Sequence, residues 1–145
     1  MKIIIVAVVV LLVVGVLGLF YLGYKSGEGE PSGLVDGELA ACPSSPNCVS
    51  SENSAPQGQR VDPLPLTVWD QIPAAISDMG GTVIQQERDY IAAEFRSSIF
   101  RFTDDVEFRL AENAVHVRSA SRVGHSDMGA NRKRVDALRK RLVSD

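Results

Sequence analysis

The chain carries 145 residues, with 15 Lys and Arg against 18 Asp and Glu, for a net charge of −3. That length has room for one domain. The only two cysteines, Cys42 and Cys48, and the only two histidines, His116 and His125, lie too far apart along the chain for a Cys2His2 zinc site, and the cysteine spacing is not the C-x-x-C of a thioredoxin-like centre. No metal or other cofactor is expected.

Ile3 to Leu22 is an uncharged run whose only small residues, apart from alanine, are Gly15 and Gly18. At about 1.5 Å per residue its roughly twenty residues reach about 30 Å, the thickness of a bilayer's hydrocarbon core. An uncleaved anchor and a cleaved signal peptide compete as readings. The exit, Leu19-Phe20-Tyr21-Leu22-Gly23-Tyr24-Lys25, offers aromatics suited to the headgroup level in place of the small residues of a cleavage site, which favours a single-pass transmembrane anchor over residues 1–25. Leu39-Ala40-Ala41-Cys42 looks like a lipid-attachment box but lies too far beyond the apolar run. Lys2 and the amino terminus precede the helix, while Lys25 is followed by Glu28 and Glu30. The positive-inside rule then puts the N-terminus in the cytoplasm and the rest on the periplasmic, extracytoplasmic side of the inner membrane.

Residues 26–60 read as a flexible tether, because Ser26 to Leu39 is rich in Gly, Ser, Glu and Pro and Ser50 to Arg60 is polar again. Between these stretches Cys42 and Cys48 close a small disulfide loop if the compartment is oxidising, with Pro43 and Pro46 restricting the chain; two free thiols are the alternative.

Residues 61–145 carry the domain pattern. Thr67-Val68-Trp69-Asp70 fits a helix N-terminus, and Val68, Ile72, Ala75, Ile76 and Met79 recur at helical spacing until Gly80-Gly81. Pro73 either begins that helix or kinks it. Period-two segments follow at Thr82 to Glu87, Tyr90 to Ser97, Asp105 to Leu110 and Val115 to Ser119, with connections short enough to force antiparallel neighbours. Asp127 to Leu142 returns to helical spacing, with Met128, Val135, Leu138 and Leu142 on one stripe. The expected fold is α+β: a four-stranded antiparallel meander flanked by two helices on one side, preceded by one N-terminal transmembrane helix.

Val106, Phe108 and Leu110 alternate with Asp105, Glu107 and Arg109, and Val115 and Val117 alternate with His116 and Arg118. Successive strand side chains point to opposite faces, so the apolar set meets the helices and the charged set shares the other face with Glu94 and Arg96. That open face reads in two ways. It is a solvated surface of cross-strand ion pairs, each contributing roughly 0.2–1 kcal/mol, or an anion site in which Glu94 and Glu107 hold arginines so that their planar donors meet a ligand. Asp104 and Asp105 point to opposite faces of a regular strand, which argues against a shared acid–base role.

Arg122 to Asp127 leads from a strand through Gly124 into the last helix, where free backbone N–H groups near Arg122 and His125 form an anion site or are capped by Ser126 or Asp127. Gly129 is followed by Ala130-Asn131, so this is no Walker loop, and neither a G-x-S-x-G nor an H-E-x-x-H motif occurs. A hydrolytic reading therefore leans on His116, His125, Asp127 or Ser121 without a motif. The last helix adds Arg132, Lys133, Arg134, Arg139, Lys140 and Arg141. These form a solvated surface favoured by the helix dipole or, outside a membrane, face anionic lipid rather than nucleic acid.

The blocks CPSSPNCVSS, AEFRSSIFRFTDDVEFRL and HVRSASRVGHSDMGANRKRV, in that order, resemble the bacterial and plastid proteins grouped as domain of unknown function 1499, over about Cys42 to Leu142. The resemblance implies no established activity. Relatives often begin with a membrane or export segment, and an aromatic is usual where His125 stands. It singles out Arg96, Asp104, Asp105, Glu107, Arg109, Arg118, Ser119, Ser121, Arg122, Asp127, Asn131 and Arg132 as signature positions.

The expected function is binding of an anionic small molecule, lipid or envelope partner through the Arg-rich sheet face, with Arg96, Glu107, Arg109, Arg118, Arg122, Asp127, Asn131 and Arg132 as ligand-binding residues and no catalytic residue assigned. The alternatives are a hydrolytic enzyme using Asp, His or Ser of the same region, and a structural envelope protein without a ligand.

Overall fold

A computed structural model describes residues 1–143. Its first element, α1 (Lys2–Gly27), is apolar all round, with a mean hydropathy of 3.4 over its most apolar window and none of that window buried. A helix without a polar face needs an apolar surrounding, and this one is long and apolar enough to cross a membrane.

The domain is α+β. The strands β3 (Cys48–Ser50), β4 (Thr82–Gln86), β5 (Tyr90–Arg96), β6 (Thr103–Leu110) and β7 (Val115–Ser121) form one sheet in the order β3-β7-β6-β5-β4, with every neighbouring pair antiparallel. Four of these were expected from their alternation, and β3 is the addition. It pairs Cys48 with Ala120, Val49 with Ser119 and Ser50 with Arg118. Three residues are too few to display a period, and the strand is fixed from outside its own pattern. Cys48 is bonded to Cys42, Ser51 N–H donates to the Val117 carbonyl, and Val117 N–H donates to Ser51 Oγ.

On one face of the sheet lie α2 (Ile72–Asp78) and α3 (Ala130–Leu142). Ile72 and Ile76 of α2 and Val135 and Leu138 of α3 pack in one core with Ile91, Val106, Phe108, Val115 and Val117 of the strands. Each such fully buried side chain contributes about 1.5–3 kcal/mol. Pro73 begins α2 and does not kink it. The preceding stretch Leu66–Gln71 is 3-10 helical, and a proline in the first α-helical turn forgoes an N–H that would have no partner. The last helix starts later than its pattern indicates: Met128 has φ 53° and is 90% exposed, outside the apolar stripe formed by Val135, Leu138 and Leu142. Asp127 fixes that start by accepting hydrogen bonds from Gly129 N–H and Asn131 N–H, both at 2.9 Å.

The opposite, charged face is not open. A hairpin of β1 (Leu34–Val35) and β2 (Glu38–Leu39) lies over it, turned at Asp36-Gly37 with φ of 52° and 83°, the conformation a two-residue turn requires. Leu39 is buried with Tyr90 and Ala92. Its N–H donates to Glu52 Oε1 at 3.1 Å, and Gly33 N–H donates to Glu107 Oε1 at 2.7 Å. Much of the polar stretch 26–60 is thus held to the sheet through backbone donors and buried carboxylates, contacts that leave no signature in composition.

Candidate functional site

The charged face consists of closed pairs. Arg118 Nη1 donates to Glu107 Oε2 at 2.8 Å, and Tyr90 Oη donates to Glu107 Oε1 at 2.7 Å. Arg109 forks onto Glu52 through Nε and Nη2, both at 2.8 Å. Arg122 grips Asp105 through Nε at 2.8 Å and Nη2 at 2.6 Å, and also reaches Glu94, whose other oxygen takes Arg96 at 2.9 Å. Arg96, Arg109, Arg118 and Arg122 are therefore matched by Glu52, Glu94, Asp105 and Glu107. Glu107 is 0% exposed, and the pairs of Arg109, Arg118 and Arg122 are interior interactions, far from the screened pairs of a solvated face, whereas the Arg96 end of the Arg96–Glu94 pair is exposed.

The pairing fixes the charges. Burial opposes ionisation of Glu52, but hydrogen bonds from Arg109 and Leu39 N–H, with His116 nearby, outweigh it and hold the carboxyl below its usual range. Burial, then the Glu107 carboxylate, pushes the Tyr90 phenol far up, keeping it a proton donor. Hydrogen bonding to Asp105 raises Arg122 and to Glu52 raises Arg109, against burial in both cases. Among the described residues Arg118 Nε is a buried donor without a partner. It stands beside a cleft of about 260 Å³ that is also lined by Asp105, Glu30 and Arg122, where an incoming anion meets two carboxylates and two guanidiniums. Both guanidiniums are already ion-paired, Arg118 to Glu107 and Arg122 to Asp105 and Glu94, with Arg118 Nε as the one donor left over.

The remaining expected site residues lie on the other side of the sheet. Asn131 is fully buried; its Nδ2 faces the Asn47 carbonyl, Ser121 Oγ and Asp127 Oδ2, and its Oδ1 accepts from Ser119 Oγ and Arg134 Nη1. Arg134 continues to Asp104 at 2.7 Å and stacks over Phe95. Arg132 donates to the carbonyls of Arg60 and Gly58. Asp127 sits below the usual carboxylate range because N–H groups of Asn131 and Gly129 overcome its burial. This network stitches α3 to β7 and to the stapled loop. His116 Nδ1 meets Ser51 and Glu52 on the charged face, Ser121 turns to Asn131 on the helix face, and His125 is exposed. No shared centre gathers them.

A third place was not singled out by sequence. The end of α1 docks on the turn between β5 and β6. Ser26 Oγ donates to the Gly23 carbonyl at 2.6 Å and accepts from Thr103 N–H at 2.9 Å, while Arg122 Nη1 donates to the Ser26 carbonyl. Phe20 and Phe100 meet edge to face at 5.2 Å. Gly23 is required, since a Cβ there would fall on the Phe100 carbonyl. The junction forms a half-open cavity of about 380 Å³ lined by Phe20, Gly23, Tyr24, Gly27, Glu28, Arg96, Phe100, Arg101 and Thr103. Arg101 is exposed and forms no salt bridge among the described residues, and Thr103 Oγ1 is buried without a hydrogen-bond partner. The available sequence signal was Gly23 and Gly27 on one helix face, together with the apolar turn Ile99-Phe100.

Residues 38–142 match the family model described as protein of unknown function, DUF1499. The chain belongs to that family. No curated protein and no solved structure matches the chain significantly. The DUF1499 match takes in the five-stranded sheet, both polar networks and the β5–β6 turn, and begins after α1. The junction cavity therefore joins one wall from inside the DUF1499 region, Arg96 to Thr103, to one from outside it, Phe20 to Glu28.

Proposed function

We propose that this DUF1499 chain is a membrane-anchored binding module on the extracytoplasmic side, with its N-terminus in the cytoplasm, and that it holds an anionic amphiphile, a phospholipid headgroup with the start of its chains, in the cavity between α1 and the β5–β6 turn. The observation that carries this reading is the cavity's composition: aromatic and glycine walls, the unpaired Arg101 at an exposed position and a buried Thr103 hydroxyl lacking a partner. Arginine suits a phosphate, and apolar walls suit acyl chains. The Cys42–Cys48 bond supports an oxidising compartment, and Lys2 before α1 supports the orientation. The Arg-rich sheet face acts in this reading as the rigid platform behind the site.

The test uses the full chain in a zwitterionic detergent at constant ionic strength. Short-chain phosphatidylglycerol should raise the melting temperature, by about 2.7 kcal/mol of stabilisation at a hundredfold excess over Kd. Short-chain phosphatidylcholine and inorganic phosphate should give little, and Arg101→Gln should abolish the gain while leaving the unliganded melting temperature in place. Equal gains from both lipids, a phosphate response alone, or a gain that survives in R101Q overturns the assignment.

A further inference from the structure

The β5–β6 turn, Ser97 to Phe102, is short, apolar at its tip and free of acidic residues. It is closed by two hydrogen bonds, Ser97 N–H to the Phe102 carbonyl and Phe102 N–H to Ser97 Oγ, both at 2.9 Å. Ile99 is 67% exposed, though it stands next to the half-buried Phe100. An exposed isoleucine on a surface loop is ordinary by itself. Its location gives it meaning, because Phe100 lies against Phe20, and Phe20 precedes the end of the apolar run at Leu22 by two positions, roughly 3 Å along the helix axis. The tip of the turn is therefore level with the last part of α1 that hydrocarbon would cover. Arg101 and Arg96 stand beside it, next to Tyr24. Aromatic and cationic side chains of this kind favour the headgroup layer.

We infer that the β5–β6 turn is a second membrane contact, inserting Ile99 and Phe100 into the interface of the outer leaflet of the bilayer that α1 crosses. This rests on α1 being a retained anchor and is independent of any lipid held in the cavity. The occupant of this surface is the bilayer itself. The apolar tip lies beside the part of α1 that is apolar. The one flanking charge without an ion-pair partner among the described residues is the cation Arg101, since Arg96 pairs with Glu94 and Glu28 with Lys25. The turn cannot lie far from the membrane while Gly23 packs on the Phe100 carbonyl and Ser26 holds Thr103.

Ile99→Trp in the full chain, reconstituted in vesicles, tests the placement against lipids brominated either close to the headgroup or at the middle of the acyl chain. The native Trp69, half-buried in the domain, supplies the background, and Leu11→Trp reports whether α1 spans the bilayer. The expected result is blue-shifted I99W emission quenched by the shallow bromines and L11W emission quenched by the deep ones. In Gly23→Ala, the added methyl should push the turn off the helix and reduce quenching at position 99 while leaving position 11 unchanged. Water-like, unquenched I99W emission beside a quenched L11W overturns the inference and leaves the anchor standing. Loss of quenching at both positions overturns the anchor and the inference together.

Discussion

Replacing Glu107 by Gln preserves the side chain's shape and removes its charge. In the native protein one oxygen accepts from Tyr90 Oη and Gly33 N–H, and the other from Arg118 Nη1. The amide keeps one acceptor, so Tyr90 and Gly33 retain a partner, but its NH2 group opposes Arg118. Arg118 is only 5% exposed and is left as a buried cation without its carboxylate. Breaking a buried pair from one side costs about 3–5 kcal/mol. The cleft beside Arg118 admits solvent, which places the loss near the lower end, about 3 kcal/mol, or a fall of roughly 10–20 °C in Tm for a domain of this size. Thermal unfolding of the full chain in detergent, followed by far-UV circular dichroism, measures it. The double variant Glu107→Gln/Arg118→Met removes both charges and should recover most of the loss, since apolar replacement of a whole buried pair is close to neutral. A single-variant loss below about 1 kcal/mol, the range of exposed pairs, with no recovery in the double variant, refutes the covered-face account.

Two further outcomes follow from the same face and from the staple. Glu52 ionises more readily in the fold than its ordinary value of 4.5, so its contribution is fully present above that value and is lost as pH falls through the lowered folded value; melting temperature scanned downward from neutrality should drop on the acid side less steeply in Glu52→Gln than in the native chain. Cys42 and Cys48 should resist alkylation until reduced, and Cys42→Ser should cost about 2 kcal/mol because only a short loop is released, with hydrogen exchange rising first at Cys48–Ser50, where β3 begins at the disulfide.

Alternation made the four long strands legible, because Val106 and Phe108 recur every second residue and a sheet with one buried face demands that period. It also assigned Asp105, Glu107 and Arg109 to the face away from the helices. Alternation cannot say what lies on that face. The cover comes from a hairpin of two-residue strands whose one local signal is Asp36-Gly37, and its hold on the sheet is Gly33 to Glu107 and Leu39 to Glu52, separations of 74 and 13 residues. Capping of α3 by Ser126 or Asp127 was legible as one alternative because capping is local, and the geometry selects Asp127, which accepts from Gly129 and Asn131 N–H. Asn131 stood out through resemblance, and its role required Asn47 at a separation of 84. The junction cavity was hidden for the same reason: Ser26 and Thr103 meet across 77 residues, and no period links a membrane-type helix to a strand turn.

Arg122 shows why the paired face and the junction belong to one device. Its guanidinium holds Asp105 and Glu94 on two strands, and the same group donates to the Ser26 carbonyl at the end of α1. An arginine whose donors are shared among three acceptors cannot be moved at one without disturbing the others. The sheet is therefore locked to the helix at the level of Ser26, while Gly23 lets the β5–β6 turn approach one turn earlier. A domain on a free tether would sample many placements relative to α1 and would not keep this cavity between them. Two successive turns of α1 fixed to the sheet allow one placement, with the cavity and the apolar tip held against the helix near the end of its apolar run. The self-neutralised arginines are then explained by position: they build the support that fixes the β5–β6 turn, and with it Arg101, which forms no salt bridge among the described residues, against the end of α1.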